Sequence, residues 1–436
     1  MKKASILFLL IGSLAFTQQI KFEEYDLDNG LHVILHQNNT NPVVAVSVLY
    51  HVGSKNENPE RTGFAHFFEH LLFEGSANIQ RGEFGKYIAE AGGKNNANTS
   101  KDRTFYYEVF PSNQLGLGIW LESERMLHAK VLKEGIETQR QVVKEEKRLR
   151  VDNQPYSDAF QRVLWEGLYK KHPYKWATIG SMEHLDAATE SDYVNFYKTF
   201  YVPNNATLSI AGDFDVASTK KMIQEYFGTI PRGKIPITRP NVQEDPMTAE
   251  VVMNYDDKNA QIPAIMYGYR APKQADNDAY VLEIISNILS NGESSRMTKN
   301  IVNKKQEAVA TGSFLWGLED GGTLIIYGMV NKGIEVKKLE SSIDEEIDNL
   351  LKNGITQKEL DTQLNKMEKD FISKNTSNVG IAENLANYHV YFKDANLINT
   401  EIQKYQKITT EDVKRVANKY LNKTQRVKLY VNPVTK

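Results

Sequence analysis

The stretch GFAHFFEHLL, residues 63–72, sets His66 and His70 four positions apart with Glu69 between them. On a helix, positions i and i+4 lie one above the other on one face, so the two imidazoles can serve a single metal ion. Glu69 stands beside that face, where a carboxylate can take a proton from an attacking water. Two histidines and one glutamate are the parts of a metal-assisted hydrolytic site, in the reverse of the more familiar H-E-x-x-H order. A catalytic zinc needs at least one further protein ligand and one open position, so a Glu, Asp or His must come from elsewhere in the chain. The competing reading is a core helix that happens to carry histidines, with Phe67 and Phe68 packing it. His128, His172 and His184 are read as structural or surface residues. With no cysteine in the chain, thiolate ligands and disulfides are excluded.

The elements that must position these residues follow from periodicity. YDLDNGLHVILHQ alternates around Asn29-Gly30 as a hairpin does, and VVAVSVLYHVGS reads as an apolar strand. Apolar residues at 64, 67, 68, 71 and 72 have the helical period, and Gly75 closes that helix. A helix over 83–91, the strand RTFYYEVFP, long helical patterns over 112–151 and 156–169, the strand NNATLSIAGDFD and a helix to about 227 complete the first half. Residues 228–246 hold four prolines and no period; a linker is assigned to 231–247. Beyond it a similar order of elements returns. The helix predicted over 278–290 takes the place of the His-Glu-His helix and contains no histidine. The pattern predicts an α+β protein of two homologous α/β-sandwich domains, each a mostly antiparallel sheet packed with helices. They span 19–230, with the metal site, and 248–436, without one.

Composition bounds the partners. The 436 residues are 41% hydrophobic and 25% charged with a formal charge of −2, which describes a globular protein and gives no support to nucleic-acid binding. The segment MKKASILFLLIGSLAFTQQ has the charged start, short apolar core and polar end of a signal peptide, assigned to residues 1–18. No later run approaches the length of a membrane span. The expectation is an exported protein, in the periplasm or outside the cell, with no stable membrane span after signal cleavage.

RTGFAHFFEHLLFEGS resembles the signature of the inverzincin peptidases, the family of pitrilysin and the mitochondrial processing peptidase. The resemblance implies one zinc per chain, held by His66, His70 and a glutamate in a V-V-x-E-E-like segment. In ETQRQVVKEEKRLR that position is Glu146, 76 residues after His70, with Glu145 as its neighbour and fallback. Seven residues earlier, where the family often has a supporting Glu, stands Gln139, which can still hydrogen-bond around the site. AGGKNNANTSKDRTFYYEVFP resembles a segment whose strand edge pairs with the substrate backbone; Asn96 and Ala97 match the positions nearest the scissile bond. From the residues alone an Asn-rich turn is the better reading of that stretch.

The activity implied is that of a zinc-dependent metalloendopeptidase, with Glu69 as general base for a metal-activated water. Peptides or unfolded polypeptides are the implied substrates. The family also places an Arg and a Tyr in its second unit as oxyanion donors. Here Val302 and Val309 hold those positions, with Lys304 and Tyr280 as possible substitutes. The resemblance therefore implies a heterodimer with a zinc-less homologous subunit that supplies the Arg/Tyr pair. The alternative is a non-catalytic or weakly active structural subunit of a heteromeric assembly.

Overall fold

A computed structural model describes residues 19–434; the signal-peptide assignment, 1–18, lies outside the described residues. The first sheet is built from β1 (Glu23–Asp26), β2 (His32–Gln37), β3 (Val43–Tyr50), β4 (Lys94–Thr99), β5 (Thr104–Pro111) and β6 (Ala206–Gly212). They lie side by side in the order β1-β2-β6-β3-β5-β4. The second contains β7 (Val251–Asp257), β8 (Ala264–Ala271), β9 (Ala308–Trp316), β10 (Gly322–Val330) and β11 (Arg426–Pro433), in the order β7-β11-β8-β10-β9.

Setting β1 aside, the two orders are the same. In each sheet the last strand of the chain enters beside the first in parallel, β6 on β2 and β11 on β7, and every other pairing is antiparallel. The helix Phe64–Leu71, between β3 and β4, corresponds to Asn277–Ser290, between β8 and β9. An α+β fold of two mostly antiparallel sheets packed with helices is thus what the chain forms.

β3 reads as an apolar run broken only by Ser47, rather than an alternating one, because both faces of its sheet are covered. Val44, Val46, Val48 and Tyr50 join the core that contains Phe64, Phe67 and Phe68. On the other face, Leu49 packs with Ala386 and Val390. Those two residues come from the second half, whose helix Asn378–Asn387 lies across β2, β3 and β6. The first half reciprocates: Ala159, Leu164, Trp165 and Leu168 pack against Ala264, Met266, Val427 and Leu429 of the second sheet. Each sheet therefore owes one of its two covering layers to the other half.

The helical run expected over 112–151 is two helices, Leu115–His128 and Lys133–Lys147, followed by a π-helical turn at Arg148–Asp152. The break falls where Ala129 turns extended and bridges to Ser76. Residues 231–250 carry no helix or strand, yet they are tied down. Glu244 Oε1 accepts the backbone N–H groups of Lys170, Lys171 and His172 at 2.9, 2.7 and 2.6 Å. Among the described residues no helix is long and apolar enough to cross a membrane.

Candidate metal centre

The histidine helix begins at Gly63, whose φ of +94° lies in the left-handed region and whose Cα a side chain could not crowd. A Cβ there would sit 2.7 Å from the Ile179 carbonyl oxygen. The usual Ser, Thr or Asp N-cap is replaced by the carboxylate of Glu57, which accepts from the N–H of Gly63 at 2.8 Å and of Ala65 at 2.9 Å. Burial pushes Glu57 up to about 8 against the pull of those backbone donors. Phe64 and Phe67 each pack on the Tyr193 ring at 4.6 Å, and Phe68 packs on Phe196 at 5.6 Å. This aromatic anchorage fixes which way the helix faces, and leaves His66, Glu69 and His70 only partly buried.

The carboxylate of Glu146, from the helix Lys133–Lys147, meets the two rings. Its Oε2 lies 3.5 Å from His66 Nε2 and 3.0 Å from His70 Nε2, and the three donor atoms lie within 4.8 Å of one another. Ligands about 2.0–2.1 Å from a tetrahedral zinc stand about 3.3 Å apart, so this donor set fits the ion in both chemistry and spacing. Burial, with the neighbouring His70, lowers His66 to about 4, leaving a neutral imidazole whose lone pair is free to coordinate. The hydrogen bond with His70 is the main influence holding Glu146 below the usual carboxylate range. Its other oxygen, Oε1, is held by Arg150 Nη1 at 3.0 Å.

Glu69 accepts a hydrogen bond from Thr99 Oγ1 at 2.7 Å. Burial raises its proton affinity and the Thr99 hydrogen bond opposes that rise. Thr99 ends β4, so the strand and Glu69 are joined directly. Nothing in the local sequence singles out Thr99, two residues beyond Ala97.

The structure brings some of the expected residues together and separates others. Asn96 and Ala97 lie in β4, opposite Tyr107 and Tyr106 of β5. The Asn-rich turn is thus corrected to a strand: the apolar β5 beside it supplies the pairing that this polar segment cannot supply alone. β4 is the outermost strand, and its other edge is unpaired among the described residues. Glu145 points away and pairs with Arg148 at 3.0 Å. Gln139 Nε2 donates at 2.5 Å to Glu74, which also binds Arg81 just past the histidine helix. The cation paired with the Glu146 carboxylate is Arg150 instead.

His128 is exposed, His172 accepts from the Tyr174 N–H, and His184 bonds Thr62 Oγ1 at 2.8 Å. Tyr280 is buried with its hydroxyl 3.3 Å from Glu401, which removes it as a donor for the site. Lys304 is exposed, Val302 half-buried, and Val309 half-exposed on β9.

Comparison with known proteins decides the family. Residues 32–181 match the family model described as Insulinase (Peptidase family M16), and residues 187–367 match the Peptidase M16 inactive domain. The zinc protease PqqE of Helicobacter pylori is 30% identical over 434 residues, which is 99% of this chain and 97% of that one. The chain belongs to peptidase family M16.

Its M16 relatives include an uncharacterized zinc protease of Bacillus subtilis, YmxG, 25% identical over 79% of this chain and 82% of its own. The crystal structure of a protease from Helicobacter pylori superposes with a TM-score of 0.90 at 30% identity, covering 95% of this chain and 100% of that one. Pitrilysin shares the M16 fold with a TM-score of 0.78 at 17% identity, covering 96% of this chain but 46% of its own. Within the chain, the first M16 model spans the histidine helix and Glu146, and the inactive-domain model spans the histidine-free helix Asn277–Ser290.

Proposed function

We propose that this chain is a zinc-dependent metalloendopeptidase that hydrolyses peptides or unfolded polypeptides. The observation that carries the reading is the convergence of His66, His70 and Glu146 beside a Glu69–Thr99 pair at the end of an edge strand with one free side. Zinc bound by His66, His70 and Glu146 would polarise the scissile carbonyl and lower the pKa of a water. Glu69 takes the proton of the attacking water and delivers it to the leaving amine, and its partly buried setting raises its proton affinity for that exchange. Thr99 holds one carboxylate oxygen, so that the other is turned to the reacting atoms. The free edge of β4, at Asn96 and Ala97, pairs with the substrate backbone, a mode that uses main-chain groups and tolerates varied side chains.

In this reading 19–230 is the catalytic unit, 231–247 the linker and 248–436 a metal-free unit of the same fold. Val302 and Val309 cannot donate hydrogen bonds to an oxyanion, so a zinc-less homologous subunit supplies an Arg and a Tyr. Pitrilysin, of whose length this fold covers 46%, has room for two such units in one chain. The N-terminal segment supports export, to the periplasm or beyond. A second reading, a structural subunit of low activity, is favoured by the same two valines.

The deciding experiment incubates wild type and Glu69→Gln with a peptide mixture, with and without the co-purified partner, and reads products by mass spectrometry and zinc by elemental analysis. Zinc in both proteins, with cleavage by wild type alone, is expected; removal by a chelator stops cleavage and added zinc restores it. Equal products from both proteins would remove Glu69 from the reaction. A metal-free wild type that still folds and binds its partner would favour the structural subunit, and full activity without any partner would end the heterodimer.

A further inference from the structure

A second cluster of metal-ligating side chains lies at the opposite end of the first sheet. β1 and β2 pair with Asp26 opposite His32 and Glu24 opposite Ile34, so Glu24, Asp26 and His32 share one face. Ile34, on that same face, packs against Ala382 and Leu385 of the second half. The helix carrying those residues continues into the turn Tyr388–Phe392, which sets His389 over His32. The two rings are 3.4 Å apart between centroids and within 8° of parallel.

The hydrogen bonds in this cluster leave one contact unexplained. His32 Nδ1 is 2.8 Å from Asp26 Oδ1, a donor–carboxylate pair when Nδ1 carries the proton. The lone pair of Nε2 then faces a second carboxylate oxygen, Glu24 Oε2, at 3.3 Å. Two acceptors face each other unless a cation lies at that point. A proton on Nε2 answers this for His32 alone. His389 Nδ1 stands 4.0 Å from the same Glu24 oxygen, so two imidazole nitrogens flank one carboxylate oxygen. One divalent ion can take both nitrogens and the carboxylate once the stacked rings turn their edges to a common point. The three donor atoms lie within 4.8 Å of one another, as do those of the catalytic cluster, and Asp26 orients the His32 ring from behind, as carboxylates do for metal-bound histidines.

We propose that Glu24, His32 and His389 form a second divalent-cation site that straps the N-terminal hairpin of the first half to the exchanged helix of the second. Two neutral imidazoles and one carboxylate suit Zn2+ or a similar transition ion rather than Mg2+ or Ca2+. Binding opens the stack by rotating His389, a side chain 30% exposed. β1 and β2 stand at one end of the sheet order and β4 at the other. Four or five strand spacings, roughly 20 Å, therefore separate this site from the catalytic cluster.

The test isolates the site in the full chain carrying His66→Gln and His70→Gln, with folding confirmed by circular dichroism. After metal stripping, equilibrium dialysis against Zn2+ at neutral pH with elemental analysis is expected to find one equivalent per chain. Adding either His389→Gln or His32→Gln is expected to remove it. Zn2+ at 100 times its dissociation constant is expected to raise the folded-to-unfolded ratio about 100-fold in the first protein and leave the ratio unchanged in the other two. No bound Zn2+ in the His66→Gln, His70→Gln chain, or an equivalent that survives both His389→Gln and His32→Gln, would overturn the proposal.

Discussion

Glu146 and Glu145 are adjacent and chemically identical, yet only the first turns to the histidines while the second pairs with Arg148. Helix geometry separates neighbouring side chains by about 100°, so a shift of one residue decides which carboxylate meets the histidines. Glu146→Ala is expected to lose bound zinc and all activity, and Glu145→Ala to keep both, as read by elemental analysis and peptide hydrolysis. Thr99 acts on Glu69 through one hydrogen bond to a charged group, worth about 1.5–3 kcal/mol. Thr99→Val is therefore expected to lower kcat/KM by roughly 10- to 100-fold with zinc content unchanged, and Thr99→Ser to recover most of the loss. His66, Glu69 and His70 were legible in the sequence because helix spacing alone places them together. Glu146 was legible only through the family signature, and Thr99 not at all, because a hydrogen bond between a helix and a strand leaves no periodic trace.

The elements explain why the site is held rather than merely present. The histidine helix is eight residues long, too short to be stable by itself, and depends on its aromatic anchorage and on the Glu57 cap. Gly63→Ala forces a side chain into the left-handed region and against the Ile179 carbonyl. A loss of about 1–3 kcal/mol is expected in denaturant unfolding. β4 offers a free edge whose backbone groups alternate in direction. Substrate peptides N-methylated at alternate positions are expected to lose up to about tenfold in kcat/KM per missing hydrogen bond, with methylation at the intervening positions tolerated. Unchanged cleavage of both series would refute strand addition. The strand itself was misread from its residues because Asn and Lys disfavour strands in isolation; pairing with β5 overrides that preference.

At the scale of the molecule, the tip of the β4–β5 hairpin meets the tip of its counterpart, β9–β10. Lys55, buried with its side chain 1% exposed, binds Asp102, Glu319 and Asp320 at 3.0, 2.6 and 2.8 Å. Asp102 Oδ2 also accepts the Glu319 N–H at 2.8 Å. Burial alone would raise Glu319 and Asp320, but hydrogen bonds from His51 and Lys55 hold the first at about 2, and those from His172 and Lys55 hold the second at about 2. Depressed carboxylates contribute stability that is fully present above their ordinary values, near 4.5 and 3.8, and is lost as pH falls toward 2. Urea unfolding is expected to show this loss between about pH 4.5 and 2. Lys55→Met leaves three buried or half-buried carboxylates without their cation, so a cost of about 3–5 kcal/mol is expected at neutral pH. The acid-dependent loss is expected to shrink in that variant; an unchanged pH profile would place the coupling elsewhere.

The sequence by itself determined the pairing of His66 and His70 on one helix face and the repeated order of elements, because both rest on local spacing: i to i+4 on a helix, apolar runs and turns along a strand. Only the tertiary structure decided that helix 378–387 covers the first sheet and residues 159–168 the second, that Asp102 meets Glu319, and that His32 meets His389. These contacts join residues about a hundred positions or more apart, where burial of complementary surfaces selects the partner and no local period records the choice.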